Sequence, residues 1–167
     1  ITCDARIDNR AELISQLPFD ASRRDEITDS EIILAAYEKW GEECLPRLIG
    51  DFVFAIWNGR EKTLFAAPDP LGLKHFYYYH RSHKLFALAS EIKALFALRA
   101  IPRELNEQHL GDYLVINSED KENTFYKGIK RLPATHALSV SRKGLRIWRY
   151  WQPATTELKF RNDRECH

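Results

Sequence analysis

Apolar residues along this chain change their spacing from one segment to the next, and the changes mark out the elements. The densest stretch is Gly50–Tyr79. Two apolar runs, Phe52–Trp57 and Leu64–Ala67, flank the polar Asn58-Gly59-Arg60-Glu61-Lys62. Asn-Gly between apolar runs signals a hairpin, here with a loop longer than two residues. In the first run Phe52, Phe54 and Ile56 fall on one face and Val53, Ala55 and Trp57 on the other. Both faces are apolar, so the spacing predicts a strand covered on both sides. Pro68-Asp69-Pro70-Leu71-Gly72 then predicts a sharp, rigid turn, and Phe76-Tyr77-Tyr78-Tyr79 opens another strand.

Upstream, Ile1–Arg6 reads as a strand. Asp8 is expected to cap a helix over Asn9–Leu17, with Ala11, Leu13, Ile14 and Leu17 at helical spacing. Thr28 and Glu31 form a capping box ahead of Ile32, Ile33, Ala36, Tyr37 and Trp40, and Gly41 ends that helix. Glu42–Leu48 reads as a further short helix. Downstream come a strand at Lys84–Leu88 and a helix over Ser90–Leu98, capped by Ser90, with Ile92, Leu95 and Phe96 inward. A second helix spans Asn106–Val115 with Leu110 and Leu114 inward, and a polar loop covers Asn117–Asn123. His136–Val140 and Leu145–Trp148 make a late hairpin. Strands cluster and helices sit between the clusters, which predicts an α+β arrangement of antiparallel sheets and helical layers.

At 167 residues, 44% hydrophobic and 29% charged, the chain has the makings of one globular domain. No apolar stretch approaches the ~20 residues of a membrane span, and no secretory pattern opens the sequence. Cys3, Cys44 and Cys166 are too few and scattered for a disulfide framework, which favours a reducing, cytoplasmic setting. The net charge of +1 carries no nucleic-acid signature. It is unevenly spread: residues 1–69 hold 8 basic and 14 acidic side chains, and residues 70–167 hold 17 and 10. Solvated surfaces of opposite sign are the favoured reading, ahead of a basic face that docks another domain or an acidic partner. His80 and His83 flank a turn without a further ligand at metal spacing and read as surface residues.

Several segments in fixed order carry a resemblance. They are Leu48–Trp57, Leu64-Phe65-Ala66, Asp69-Pro70-Leu71-Gly72-Leu73-Lys74, Tyr77-Tyr78, Phe86–Leu95, Phe125–Pro133 and Arg149-Tyr150-Trp151. Together they resemble the glutamine amidotransferase domain of asparagine synthases, class II amidotransferases with an N-terminal-nucleophile fold. The resemblance implies a four-layer αββα sandwich of two antiparallel sheets, here lacking its N-terminal part. It implies a domain over residues 1–151, with 152–167 as a linker or tail toward an absent synthetase domain. Glutamine is the implied substrate. ATP and magnesium are implied only for that absent domain, and no cofactor is expected in this chain.

In that family an N-terminal cysteine thiolate attacks the glutamine amide, with its own α-amine as base. The resemblance places that Cys-Gly start upstream of Ile1. Cys3 is third, precedes Asp4-Ala5, and reads as a small strand residue; Cys44 reads as core, and Cys166 lies in the tail. The family's Asn-Gly-Glu, which supplies oxyanion donors, is matched by Asp4-Ala5-Arg6, and an ionised Asp4 would repel an oxyanion. Asp29 matches the aspartate that receives the α-ammonium of glutamine, and equally suits a helix N-terminus as a structural acid. Pro68 stands where the family commonly has arginine, and His75 where it has proline.

These residues predict that the chain alone is inactive and leave three readings open. The first is the glutaminase-like part of a larger amide-forming enzyme. The second is a degenerate structural domain like those of lasso-peptide cyclases and β-lactam synthetases. The third is a free-standing interaction module. An apolar opening near Ile1–Ile7 and Phe52–Trp57 is expected to drive self-association into a homo-oligomer.

Overall fold

The computed structural model describes residues 1–20, 22, 24–116 and 120–153. Strand β1 (Thr2–Ile7) leads to helix α1 (Arg10–Gln16) and helix α2 (Asp29–Trp40). A 3-10 turn, Gly41–Arg47, returns the chain to the hairpin of β2 (Gly50–Asn58) and β3 (Thr63–Pro68). Then follow β4 (Phe76–Arg81), β5 (Leu85–Ala89), α3 (Ile92–Leu95), α4 (Glu107–Leu114), β6 (Ile129–Leu132), β7 (His136–Ser141) and β8 (Gly144–Arg149).

The strands form two antiparallel sheets, one in the order β1-β2-β3-β7-β8 and one in the order β5-β4-β6. Period-2 alternation divides the core between the layers. Phe52, Phe54, Ile56 and Phe65 point toward α1 and α2, against Leu13, Ile14, Ile32, Ile33 and Ala36. Val53, Ala55, Ala66 and Leu138 point the other way, against Phe76, Tyr78 and Leu132 of the second sheet. The far face of that sheet carries Tyr79 and Ile129 against Leu95 and Ile101. This is a helix–sheet–sheet–helix stack, the α+β sandwich that the strand clustering predicts.

β2 is paired on both edges and buried on both faces from Phe52 to Ile56, as the two-sided apolar run requires. Trp57 departs from the pattern, because the strand outruns the second sheet there and leaves the indole 55% exposed. The apolar opening expected beside Phe52–Trp57 is therefore closed except at Trp57. β1 is an edge strand, and its exposed positions are Thr2, Asp4 and Arg6.

The Thr28–Glu31 capping box is present, with the Thr28 amide donating to the Glu31 carboxylate at 2.8 Å. Asn106 caps α4 by accepting from the His109 amide at 3.3 Å. Other expectations are corrected. Asn9, not Asp8, precedes α1, and its side chain instead ties the chain to Arg47 and Ile49. The helix expected over Ser90–Leu98 shrinks to α3, with Glu91 at its N-cap position. No residue of α4 is fully buried: Leu110 is half-buried and Leu114 is 71% exposed, so the inward face expected there fails at Leu114. β6 escaped notice because Lys130 and Arg131 occupy the middle of a four-residue strand. Residues 117–119 of the expected loop, most of the tail and Cys166 lie outside the described residues.

Two features hold the crossover from the first sheet to the second. Asp69 is buried, and its carboxylate accepts from the amides of Leu71, Leu73 and Lys74 at 3.0–3.2 Å, an anion held by backbone donors alone. Tyr150, following β8, donates its hydroxyl to the Pro68 carbonyl at 2.6 Å, and burial raises its phenol pKa. No helix among the described residues is long and apolar enough to cross a membrane.

Candidate functional site

The residues singled out for chemistry gather where β1 meets the N-termini of α1 and α2. β1 alternates, so Cys3 and Ala5 lean on the helical core while Asp4 and Arg6 face outward. The capping box fixes the first turn of α2 and points Asp29, its first residue, at β1. One Asp29 oxygen accepts from the Ile7 amide at 3.2 Å. The other carries the guanidinium of Arg10, the first residue of α1, and the same guanidinium donates to the Ile27 carbonyl. Asn9 sets that position by donating to the Arg47 carbonyl at 2.9 Å and accepting from the Ile49 amide at 3.1 Å.

Asp4, which stands where an oxyanion donor was expected, is ion-paired with Lys74 at 2.7 Å. Lys74 comes from the turn that Asp69 organises, so the crossover and the first strand are locked across the site. Arg6 pairs with Asp8 and Asp51, both at 3.0 Å. Cys3 lies within the fields of Asp29 and Asp4. Burial first, then these two carboxylates, raise its thiol pKa, which is the reverse of what a nucleophilic thiolate needs. Cys44 is fully buried and its thiol is pushed up to about 12, chiefly by burial. Both cysteines are free, and among the described residues no cluster of His, Cys, Asp and Glu could hold a metal.

The structure thus brings Cys3, Asp4 and Asp29 together, and adds Arg10 and Lys74, whose roles the sequence reading missed. Lys74 lies 70 residues from Asp4, beyond the reach of local pattern. Arg10 left one trace. A cation in the first turn of a helix opposes the helix dipole, so it signals a carboxylate partner nearby.

The fold defines the class: an antiparallel two-sheet sandwich between helices is the architecture of the N-terminal-nucleophile amidotransferases. A solved structure of glutamine phosphoribosylpyrophosphate amidotransferase from B. subtilis matches 91% of this chain and 29% of its own, with a TM-score of 0.58 at 17% identity, a likeness of fold. A family model for the glutamine amidotransferase domain matches residues 1–151. Asparagine synthetase [glutamine-hydrolyzing] 3 of Bacillus subtilis is 35% identical over 144 residues, 86% of this chain and 23% of that protein. Asparagine synthetase [glutamine-hydrolyzing] 2 of the same organism is 34% identical over 119 residues, 68% of this chain and 16% of that protein. The chain belongs to the glutamine amidotransferase domain family, and both of these relatives are asparagine synthetases. It spans less than a quarter of the length of these two relatives.

Proposed function

We propose that this domain is the glutaminase-like region of an ATP-dependent, amide-forming enzyme of the asparagine synthase type, and that its glutamine site is closed by its own side chains. One observation carries the second part: Arg10 occupies the carboxylate of Asp29. A glutamine α-ammonium would have to displace a guanidinium that also holds the Ile27 carbonyl. Asp4, neutralised by Lys74, offers an acceptor where developing negative charge needs a donor. Both pairings favour a structural role, as in the degenerate domains of lasso-peptide cyclases and β-lactam synthetases, over glutamine hydrolysis by these residues. ATP and magnesium belong to a synthetase partner in this reading, and no residue of this chain is assigned to them.

The test is glutamate release from glutamine by the purified chain. The expected rate equals the no-protein blank, and Cys3→Ala leaves it unchanged. Turnover above the blank that disappears in Cys3→Ala would assign Cys3 the nucleophilic role and overturn the reading.

A further inference from the structure

The far end of the sandwich carries a cleft that the amidotransferase reading does not use. The β2–β3, β4–β5 and β7–β8 hairpins all turn at this end, and their tips surround an open space of about 730 Å³. It is the mouth of the layer between the two sheets. Its apolar floor is Leu64, Phe86 and Val140, of which Leu64 and Phe86 continue into the inter-sheet core. β2 runs from the Asp4 site to this mouth. Val53 pairs with Asp4 and Trp57 lines the cleft, so about 13 Å of strand separates the two at ~3.3 Å per residue.

The lining is strongly one-signed. Lys62, Arg81, Lys84 and Arg142 border the cleft, with His80 and His83 beside them, and no carboxylate lines it. None of the four cations has an ion-pair partner among the described residues. By contrast Arg6, Arg10, Lys74, Lys127 and Arg146 are all paired. The nearest acid in sequence, Glu61, lies on the same turn as Lys62 but is not part of the lining. Its charge acts on Tyr37, on the helical side of the sheet, whose phenol pKa is raised by burial first and then by Glu61. Lys62 and His83 both hold a positive φ of 55°, which tightens the two turns and brings their side chains to the rim.

Trp57 forms a wall of the cleft. Trp40 carries Lys39 and Arg47 over its ring, and Trp148 carries Arg146 and stacks on Phe65. Trp57 has no such ring or cation contact among the described residues, and its indole is left open on the cleft.

Four cations without an ion-pair partner among the described residues, around a space the size of a small-molecule pocket, suit a compact polyanion. The exposed indole of Trp57 beside them offers a flat face on which an aromatic ring can stack. We propose that this cleft binds a small oligophosphate bearing an aromatic base, with the phosphates held by Arg81, Lys84, Lys62 and Arg142 and the base stacked on Trp57. The site is independent of the glutamine reading, because it shares no residue with the Asp4–Asp29 cluster.

The test is calorimetric titration of the full chain with ADP, with pyrophosphate as the ring-free probe and adenosine as the phosphate-free probe. The expected result is saturable one-to-one ADP binding with a Kd below about 1 mM, at least about tenfold tighter than either control. Affinity should fall as salt is raised. Arg81→Ala with Lys84→Ala should weaken ADP binding about tenfold or more, and Trp57→Ala should bring ADP to the pyrophosphate level. Lys93→Ala, outside the cleft, should change nothing. Circular dichroism verifies that each variant is folded, which these exposed positions favour. Absent saturable binding, binding indifferent to the cleft variants, or pyrophosphate binding as tight as that of ADP would each overturn the proposal.

Discussion

Arg10 and Asp29 each do two things, and the two sets of contacts differ in what their loss leaves behind. Removing the Arg10 side chain leaves Asp29 partly buried but still accepting from the Ile7 amide. Removing the Asp29 side chain leaves the Ile7 amide and the Arg10 guanidinium both without that acceptor. Asp29→Ala is therefore expected to destabilise by about 1–3 kcal/mol, and Arg10→Ala by less, since the pair is partly solvent-screened. Urea denaturation of the two variants checks the order; an Arg10→Ala loss exceeding that of Asp29→Ala would show that the Ile7 contact contributes little. At this scale the sequence revealed Asp29 and Asp4 as positions of interest but not their partners. Asp29 and Arg10 are joined across 19 residues and Asp4 and Lys74 across 70, and such pairs follow from how elements pack rather than from local pattern.

At the scale of elements, legibility followed the strength of the periodic signal. β2 and α2 were readable because one has apolar residues on both faces and the other has a complete capping box. α4 departs from its pattern because Leu110 and Leu114 keep helical spacing, yet among the described residues only Leu110 is half-covered and Leu114 stays 71% exposed. The join between β1 and β2 depends on a residue with no side chain. Gly50 has a φ of +148°, and a Cβ there would lie 2.0 Å from the Arg6 carbonyl oxygen. Because the obstacle is backbone, it cannot move aside without separating the strands. Gly50→Ala is expected to cost about 2–4 kcal/mol and to loosen β1 first. Hydrogen exchange of the β1 and β2 amides together with thermal melting checks this; unchanged melting would mean the strands slide apart freely. Gly72 is a milder case, with a φ of +68° and a Cβ position 2.8 Å from the Ala134 side chain.

Across the whole molecule, the two ends of the sandwich have opposite character. At the β1 end charged groups are paired, whereas the cations around the cleft at the hairpin end have no ion-pair partner among the described residues. The charge asymmetry in the sequence hinted at this division but could not locate it, because the cleft draws on three hairpins separated along the chain. Self-association is expected from an apolar opening near Ile1–Ile7 and Phe52–Trp57; of that surface Phe52–Ile56 is covered, and Ile1 and Trp57 are exposed. The remaining route is the β1 edge, where Asp4 and Arg6 are charged and Asp29 covers the Ile7 amide, features that oppose strand addition. Light scattering over a concentration series is expected to give the monomer mass throughout; mass rising with concentration would show that the edge recruits a second chain.

In the proposed function Arg10 closes the glutamine site by holding Asp29. Calorimetric titration of glutamine into the wild-type chain and into Arg10→Ala tests it directly. No saturable heat is expected from the wild type up to about 10 mM glutamine, equivalent to a binding free energy weaker than about −3 kcal/mol. Wild-type binding with a Kd below about 1 mM, abolished by Asp29→Asn and unaffected by Arg10→Ala, would contradict it.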